Sequence, residues 1–262
     1  MKVNDITHLI EAHAPLHYQE SYDNCGMQVG DPEMEVSGVL ITLDVTETVI
    51  DEAIRKGCNL IIAHHPLIFH GQKKICGRNY VERCIIKAIK NDIAIYASHT
   101  CMDKAANGVS AKMAEKLGVS IDSPLEIEKV NGEEIGLGVI GHLPQPEEAR
   151  QFLLRVKETF QVGSVRHTAF TEGKSVKKIA LCGGSSAEFI NNAIKAQADV
   201  FVTADVKYHQ FFDVEERIIV ADIGHFESEQ FTKEIFFDII SKKMPKFAIN
   251  FSKRGKSPIN SL

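Results

Sequence analysis

The stretch VSGVLITLDVTETVIDEAIRKGCNLIIAHHP, residues 36–66, contains the pattern that decides the fold. Residues 38–43 (GVLITL) form a short apolar run that predicts a buried strand, and residues 59–63 (NLIIA) predict a second one. Residues 46–57 between them are predicted to be helical, with Thr46 as the N-cap. A strand, a helix and a second strand in this order indicate an α/β unit.

A second stretch, residues 176–206 (VKKIALCGGSSAEFINNAIKAQADVFVTADV), aligns with the first without a gap at an offset of 140. Four aligned pairs are identical: Val36/Val176, Ile50/Ile190, Ala53/Ala193 and Ile54/Ile194. Unrelated strand–helix–strand units also look alike, because Val and Ile recur in them for packing reasons. We interpret the similarity of the two stretches as an internal duplication. It predicts two related α/β units, whose second strands end at His64-His65 and at Ala204-Asp205.

Strand-like and helix-like segments alternate along the rest of the chain, which favours an α/β fold with mostly buried sheets. The further predicted strands lie near residues 93–97, 135–141, 176–182, 199–203, 217–222 and 246–251. The further predicted helices lie near residues 79–91, 104–117, 187–197 and 226–241, with one more opened by Pro146. Residues 121–133 show the least pattern, and we interpret them as a crossing between two domains.

Composition excludes several classes of protein. The 262 residues are 44% hydrophobic and 25% charged, as in ordinary globular proteins, and the net charge of −5 includes no basic block for nucleic acid. Residues 1–21 lack the apolar stretch of a signal peptide, and no apolar run approaches the roughly 20 residues that span a bilayer. The six cysteines form no CxxC pair and are predicted to be reduced. We therefore predict a cytoplasmic protein that binds neither membranes nor nucleic acid.

Side chains that could bind a metal follow three of the predicted strands: His64 and His65, then His99 and Asp103, and finally His225 and Glu229. Ligands gather beyond the carboxyl ends of strands in open α/β sheets. Imidazole is a common metal ligand, and residues four apart on a helix, such as His225 and Glu229, share one face. The pattern therefore indicates a metal site.

Each of these residues also has an ordinary interpretation. One of His64 and His65 could be a structural residue and the other a surface residue. Asp103 could simply stabilise the N-terminus of a helix, and His225 could be an ordinary turn residue. The convergence of three strand ends favours metal binding. Five or six nitrogen and oxygen donors exceed the needs of one tetrahedral ion, so they predict two divalent ions, either Zn, Mn, Fe, Co or Ni.

The chain resembles the Nif-three-like family, whose members are named GTP cyclohydrolase 1 type 2-like. Seven segments carry the resemblance: YDNCGMQVG (22–30), ITLDVT (41–46), IIAHHPLIF (61–69), HTCMD (99–103), VKKIALCGGS (176–185), DVFVTADVKYHQ (199–210) and DIGHFESE (222–229). The resemblance implies metal ligation by His64, His65, Asp103, His225 and Glu229, catalytic roles for Glu229 and His99, and no residues for any other cofactor. His99 would act beside the ligands rather than as one of them.

The resemblance also implies the architecture. We expect two intertwined α/β domains with mixed sheets related by duplication, residues 1–124 plus 226–262 and residues 125–225. The domain that some members insert between the two halves is expected to be absent. A toroidal homohexamer is expected, with its metal sites facing the interior.

The implied activity is hydrolysis of a small molecule, a nucleotide in particular, with metal-activated water attacking the guanine ring of GTP. Two alternatives stay open. One is a phosphoesterase or nucleotidase that uses the same pair of metals, and the other is a non-enzymatic metal-binding or interaction module.

Several neighbouring polar residues have two interpretations each. Cys101 stands where the family usually has Asn, and a thiol there could alter metal preference or redox sensitivity. Asp44 could hydrogen-bond a ligand histidine or start a helix, and Asp23 and Asn24 could simply form a turn. The group Asp205, Lys207, Tyr208 and His209 could bind substrate or form a polar loop.

Overall fold

A computed structural model describes residues 1–260. Eleven strands lie in this range: β1 (Gly26–Val29), β2 (Val39–Thr42), β3 (Leu60–Ala63), β4 (Ala94–Ala97), β5 (Ser120–Val130), β6 (Glu133–Glu148), β7 (Arg166–His167), β8 (Ser175–Leu181), β9 (Val200–Thr203), β10 (Ile219–Asp222) and β11 (Ile249–Phe251). The α-helices of this range are α1 (Val3–His13), α2 (Glu47–Lys56), α3 (Tyr80–Lys90), α4 (Thr100–Asp103), α5 (Val109–Leu117), α6 (Ala149–Thr159), α7 (Ile190–Lys195), α8 (His225–Glu229) and α9 (Thr232–Lys243).

The chain divides into two compact units, and each contains one mixed sheet. The first unit consists of Met1–Met102 and Thr232–Lys256, and the second contains Asp103–Phe231 and residues 257–260. The mixed α/β fold with two mixed sheets confirms the predicted fold class. The bounds of the units differ from those of the predicted domains, because β5 pairs with β6 and α5 packs on β6, which places residues 103–124 in the second unit.

The sheet of the first unit has the strand order β1-β4-β3-β2-β11. Strands β11, β2, β3 and β4 are parallel, and β1 is antiparallel to β4. Every residue of β2, β3 and β4 is buried, as expected for strands covered on both faces. Helices α2 and α3 bury apolar side chains against Leu40, Ile61 and Ile95 on one face.

The sheet of the second unit has the order β5-β6-β8-β9-β10-β7, with β8, β9 and β10 parallel and the remaining pairs antiparallel. Alternate residues of β9 face opposite ways, because side chains alternate along a strand. Val200 and Val202 pack in the cluster that contains residues of α5 and α6, whereas Phe201 packs in the cluster that contains residues of α7.

The two sheets repeat one another in register at the offset of 140. Strand β2 pairs with β3 through Val39–Leu60, Leu40–Ile61 and Ile41–Ile62, and β8 pairs with β9 through Ile179–Val200, Ala180–Phe201 and Leu181–Val202. A side-chain hydrogen bond is repeated as well: the amide of Ser37 donates to Asn59 Oδ1, and that of Lys177 to Asp199 Oδ2, both at 2.8 Å.

The helix ends that precede β3 and β9 are also repeated. The amide of Cys58 donates to Ala53 O at 2.9 Å, and that of Ala198 donates to Ala193 O at 3.0 Å. The residue before each donor is left-handed, with φ 66° at Gly57 and φ 55° at Gln197. Apolar packing alone does not require matching hydrogen bonds at a constant offset, so these repeats support the duplication.

Three predicted helices differ from those of the structure. The predicted helix 104–117 begins only at Val109, because Gly108 is the extended N-cap residue of α5. Pro146 opens no helix, since β6 continues to Glu148, which pairs with Ser175. The predicted helix 226–241 is two helices, α8 and α9.

The interpretation of residues 121–133 as a crossing is wrong. They belong to a hairpin in which β5 pairs with β6, and Asn131 and Gly132 form its turn with φ 51° and 87°. Strand β5 is mostly exposed, so it lacks the apolar pattern of a buried strand. Among the described residues, no helix combines the length and apolar character needed to cross a membrane.

Candidate functional site

Three histidines of the first unit form a cluster at the carboxyl ends of two parallel strands. His64 and His65 follow β3, and His99 follows β4 after one residue. One ligand nitrogen from each ring lies within 4.8 Å of the other two. Their ring centroids are 4.9 to 5.3 Å apart. Parallel strands end at the same edge of a sheet, which explains why residues 35 positions apart meet there.

Each histidine of this cluster directs its Nδ1 atom at an oxygen. The acceptors are Ser98 O for His64 (2.9 Å), Asp44 Oδ1 for His65 (2.8 Å) and Asp23 Oδ1 for His99 (2.9 Å). A carbonyl or carboxylate oxygen only accepts, so Nδ1 carries the proton and the lone pair is on Nε2. Histidines that bind metals are typically held in this way, with the other ring nitrogen donating to an oxygen.

The carboxylate of Asp23 is fully buried and fixes His99. It also accepts hydrogen bonds from the hydroxyl and the amide of Thr100. Burial alone would raise the pKa of Asp23, but the hydrogen bonds from His99 and Thr100 hold this pKa well below its usual range. Asp23 is therefore an ionised anchor as well as a turn residue.

Two thiols lie beside this anchor. The Sγ atoms of Cys25 and Cys101 are 3.3 Å apart, and the amide of His99 donates to Cys25 Sγ at 3.3 Å. The hydrogen bond with Cys101 and burial raise the pKa of the Cys25 thiol far above its usual range, so it stays protonated. Cys101 is completely buried, and its predicted effect on metal preference stays a prediction.

The second unit contains a histidine and a carboxylate one helical turn apart. In α8, His225 Nε2 lies 3.2 Å from Glu229 Oε2, and Glu229 is buried. His225 Nδ1 donates to Asp205 Oδ2 at 2.7 Å. Nε2 of His225 thus carries the lone pair that could bind a metal, and it faces the Glu229 carboxylate. Asp205 orients this histidine, while Lys207, Tyr208 and His209 lie at a separate short 3-10 turn where Tyr208 is exposed.

Gly184 makes room for the Glu229 carboxylate. A Cβ atom at Gly184 would lie 2.3 Å from Glu229 Oε1 and 3.7 Å from His225 Cε1, and the residue has φ +66°. Its amide donates to Ser228 Oγ at 3.0 Å, which joins the loop to α8. Only glycine lacks the Cβ atom that would meet Glu229 and also adopts this left-handed backbone conformation without strain. In the sequence, the adjacent glycines Gly183 and Gly184 after β8 were the signal that the chain makes a close contact here.

Asp103 ends α4 and also belongs to the second unit. Burial, together with the negative charges of Asp103 and Glu229, raises the pKa of the Cys182 thiol to about 12. Both carboxylates therefore lie close to the same thiol. The structure thus groups the predicted residues as His64, His65 and His99 in one unit and as Asp103, His225 and Glu229 in the other.

The donors of both groups fit a divalent metal. Imidazole Nε2 atoms and carboxylates are ligands of Zn, Mn, Fe, Co and Ni, and all four histidines are held by Nδ1. The fold and these side chains define a class: α/β proteins of two repeated units, with metal-binding types of residue at their strand ends.

The chain belongs to the Duf34/NIF3 (NGG1p interacting factor 3) family, whose profile matches residues 1–258. It is 35% identical over 251 residues to the GTP cyclohydrolase 1 type 2 homolog of Clostridium acetobutylicum, covering 95% of this chain and 93% of the relative. It is 36% identical over 230 residues to the homolog of Clostridium perfringens, covering 87% of each chain. The resemblance predicted from the motifs is therefore confirmed.

Solved structures agree with this membership. Staphylococcus aureus protein SA1388 superimposes with a TM-score of 0.91 at 28% identity, covering 100% of this chain and 99% of that chain. A Bacillus cereus protein related to NIF3 gives a TM-score of 0.89 at 26% identity, with the same coverage.

Proposed function

We propose that the protein is a metal-dependent hydrolase that holds two divalent ions with His64, His65, Asp103, His225 and Glu229. The observation that carries the proposal is the way four histidines are held at the ends of strands. His64, His65, His99 and His225 each have Nδ1 hydrogen-bonded to an oxygen, which places the ring lone pair on Nε2, the atom that would bind a metal or a substrate. The surface residues His142 and His167 also have Nδ1 against an oxygen, so the arrangement alone does not identify a ligand. What favours a common purpose is that the four histidines above all follow strands of the sheets, and that three of them form one cluster.

The carboxylates divide into ligands and anchors. Asp23, Asp44 and Asp205 each accept from a histidine Nδ1. In our proposal Asp103 and Glu229 would be the metal ligands instead. The position of Glu229 beside His225 Nε2, at 3.2 Å, supports this division.

The metals, when bound, would lower the pKa of water and polarise the electrophile. The residues of the chain then have separate tasks. Glu229 is buried, so its charge is poorly screened by water and well placed to accept a proton near His225. His99 would bind substrate or move a proton at Nε2, because Asp23 fixes its Nδ1 proton.

The name shared by the relatives, GTP cyclohydrolase 1 type 2 homolog, supports GTP as the first substrate to test. In our proposal the substrate is a small nucleotide whose guanine ring is hydrolysed. A toroidal homohexamer in the cytoplasm is part of the same proposal. Light scattering coupled to size exclusion would measure the mass of the assembly, and a mass other than six chains would contradict the hexamer.

The test is formate release from GTP by protein reloaded with Mn, Zn or Fe, together with the bound metal per chain. The variant is Glu229→Ala, and the control is Glu188→Ala, which removes an exposed carboxylate of the same unit. We expect metal-dependent release that Glu229→Ala abolishes and Glu188→Ala preserves. Full metal occupancy in Glu229→Ala and in His64→Ala would contradict the ligand assignment.

His99→Ala separates a catalytic role from a ligand role. We expect a larger loss of formate release than of bound metal. Equal losses of both would make His99 a ligand. Absence of formate release with every metal would contradict the cyclohydrolase reaction, and phosphate esters would then be the next substrates to test.

A further inference from the structure

Two exposed aromatic side chains lie beside the histidine cluster of the first unit. The ring of Phe69 is 6.2 Å from the ring of His99, and the ring of Tyr22 is 6.4 Å from that of Phe69. Tyr22 is 64% exposed and Phe69 is 38% exposed. We call these two residues the aromatic wall. Exposed aromatic side chains that adjoin a candidate site are unlike scattered surface residues, because a bound molecule would cover them.

Polar contacts fix the two loops that carry the wall. Asn24 Nδ2 donates to Ile68 O at 2.6 Å, and the amide of Ile68 donates to Gln28 Oε1 at 3.1 Å. The loop after β3 is therefore tied, one residue before Phe69, to the segment that begins at Tyr22. Asp23, next to Tyr22, holds His99. The segment of residues 22–28 thus positions the histidine and the aromatic wall together.

We propose that the aromatic wall binds the planar ring of the substrate. This inference rests on the proposed function for the reaction, and it adds the part of the substrate that is recognised: a heteroaromatic ring, such as a nucleobase, lying against Phe69 and Tyr22 with its reacting atom near the histidine cluster. Aromatic faces stack on nucleobases and on other π systems, and this contact is tolerant of ring type. An inorganic anion has no ring to stack on such a wall.

The side chains of the wall are not suited to bind a phosphate group through opposite charge. Neither phenylalanine nor tyrosine carries a positive charge, so the wall offers a phosphate group at most one hydrogen bond, from the Tyr22 hydroxyl. A second copy of this chain is the competing occupant, since exposed aromatic residues also occur at interfaces between subunits. The experiment below is designed to separate these two occupants.

The test measures binding of guanosine and of inorganic phosphate to metal-loaded protein by equilibrium dialysis. The variants are Tyr22→Leu and Phe69→Leu, which keep an apolar side chain but remove the ring. The control is Tyr80→Leu, because Tyr80 is 56% exposed at the start of α3. We expect each wall variant to bind guanosine about tenfold more weakly. Phosphate binding, bound metal and assembly mass should stay at the wild-type values, and Tyr80→Leu should match the wild type.

Each contrary result is distinct. Unchanged guanosine binding in both wall variants, or no binding of guanosine to the wild type, would overturn the inference. An altered assembly mass in the wall variants would overturn it in favour of an interface between copies. Loss of guanosine binding in the wall variants, combined with no formate release by the wild type, would support the wall while rejecting the proposed reaction.

Discussion

At the end of β3 the first unit has His64 and His65, whereas at the equivalent end of β9 the second unit has Ala204 and Asp205. In the first unit Asp44, after the first strand of the repeat, accepts from His65. The second unit has Gly184 at the position of Asp44, and its acid stands at the position of His65. A carboxylate therefore holds a histidine in both units, but the acid stands at the Asp44 position in the first unit and at the His65 position in the second, where it holds His225 from outside the repeat.

The difference between the two strand ends shows how one scaffold can provide two different sets of donors. The pairing register and the helix ends are the same in both units, so the backbone directs strand ends in the same way. Gly184 in place of an acid leaves the space that Glu229 occupies in the second unit. The first unit consequently provides imidazoles, and the second provides an imidazole and carboxylates.

Among the substitutions that test this difference between the units, Gly184→Ala should have the largest effect. The added methyl group would meet Glu229 Oε1, so the carboxylate must leave its position. We expect metal affinity to fall by about 10- to 100-fold, the range found when groups that support metal ligands are lost. Metal titration with a competing chelator measures this affinity.

Gly173→Ala is the matched control for backbone strain. Gly173 has φ +76°, similar to Gly184, but a Cβ atom there would have no neighbour within 4 Å. Its metal affinity should equal that of the wild type. Equal weakening in both variants would show that strain, not the space around Glu229, explains the effect.

A second difference between the units lies on the helix that follows the first strand of each repeat, where one unit has a buried carboxylate and the other an amide. Glu52→Gln tests this difference. Glu52 is buried and accepts from the amides of Lys253 and Arg254, whereas its counterpart at the offset of 140 is Asn192, whose amide donates to Glu126. Burial would raise the pKa of Glu52, but hydrogen bonds from Lys56 and Ser252 and from these amides lower it to about 2. The folded-state pKa is below the unfolded value, so the stabilisation is present above about pH 4.5 and is lost as the pH falls towards 2.

We expect Glu52→Gln to lower the free energy of unfolding by about 2 kcal/mol at pH 7 and by less at pH 3. Urea unfolding at both pH values measures this difference. Asn192→Asp is the mirror variant, because it places two carboxylates together and should destabilise at pH 7 more than at pH 3. If Glu52→Gln lowered the free energy of unfolding equally at pH 7 and at pH 3, the stabilisation could not come from the ionised Glu52 carboxylate.

The smallest effect is expected from exchanging the residues at the two left-handed helix ends. Gln197 has φ 55° where the first unit has Gly57. Gln197→Gly should raise the free energy of unfolding by up to about 1 kcal/mol, because glycine adopts this conformation without strain, and Gly57→Gln should lower it by a similar amount. Thermal unfolding measures both. Destabilisation by Gln197→Gly would mean that its side chain stabilises the second unit.

The parallel strands were predictable because of their burial. The predicted strands 38–43 and 59–63 correspond to β2 and β3, since residues covered on both faces are continuously apolar. Strand β5 could not be found this way, because its exposed residues follow no apolar pattern. The Asn131-Gly132 turn was the only local signal for its hairpin, and it is a strong one.

The candidate ligands were predictable from strand ends, but their anchors were not. Asp23 lies 76 positions before His99, and Asp205 lies 20 positions before His225. Nothing in the local sequence pairs an acid with a histidine over such separations, because the pairing follows from the order of strands in the sheets. Asp44 was foreseen as one of two alternatives, and the hydrogen bond to His65 decides between them.

The order of strands in the first sheet also affects how the chain folds during synthesis. Strand β11 pairs with β2, yet it is made after the whole sheet of the second unit. A ribosome-bound chain can therefore complete the second sheet while the first still has β2 as an open edge. An open edge of buried, apolar residues invites pairing with other chains. The nascent protein therefore keeps this apolar edge exposed until β11 emerges.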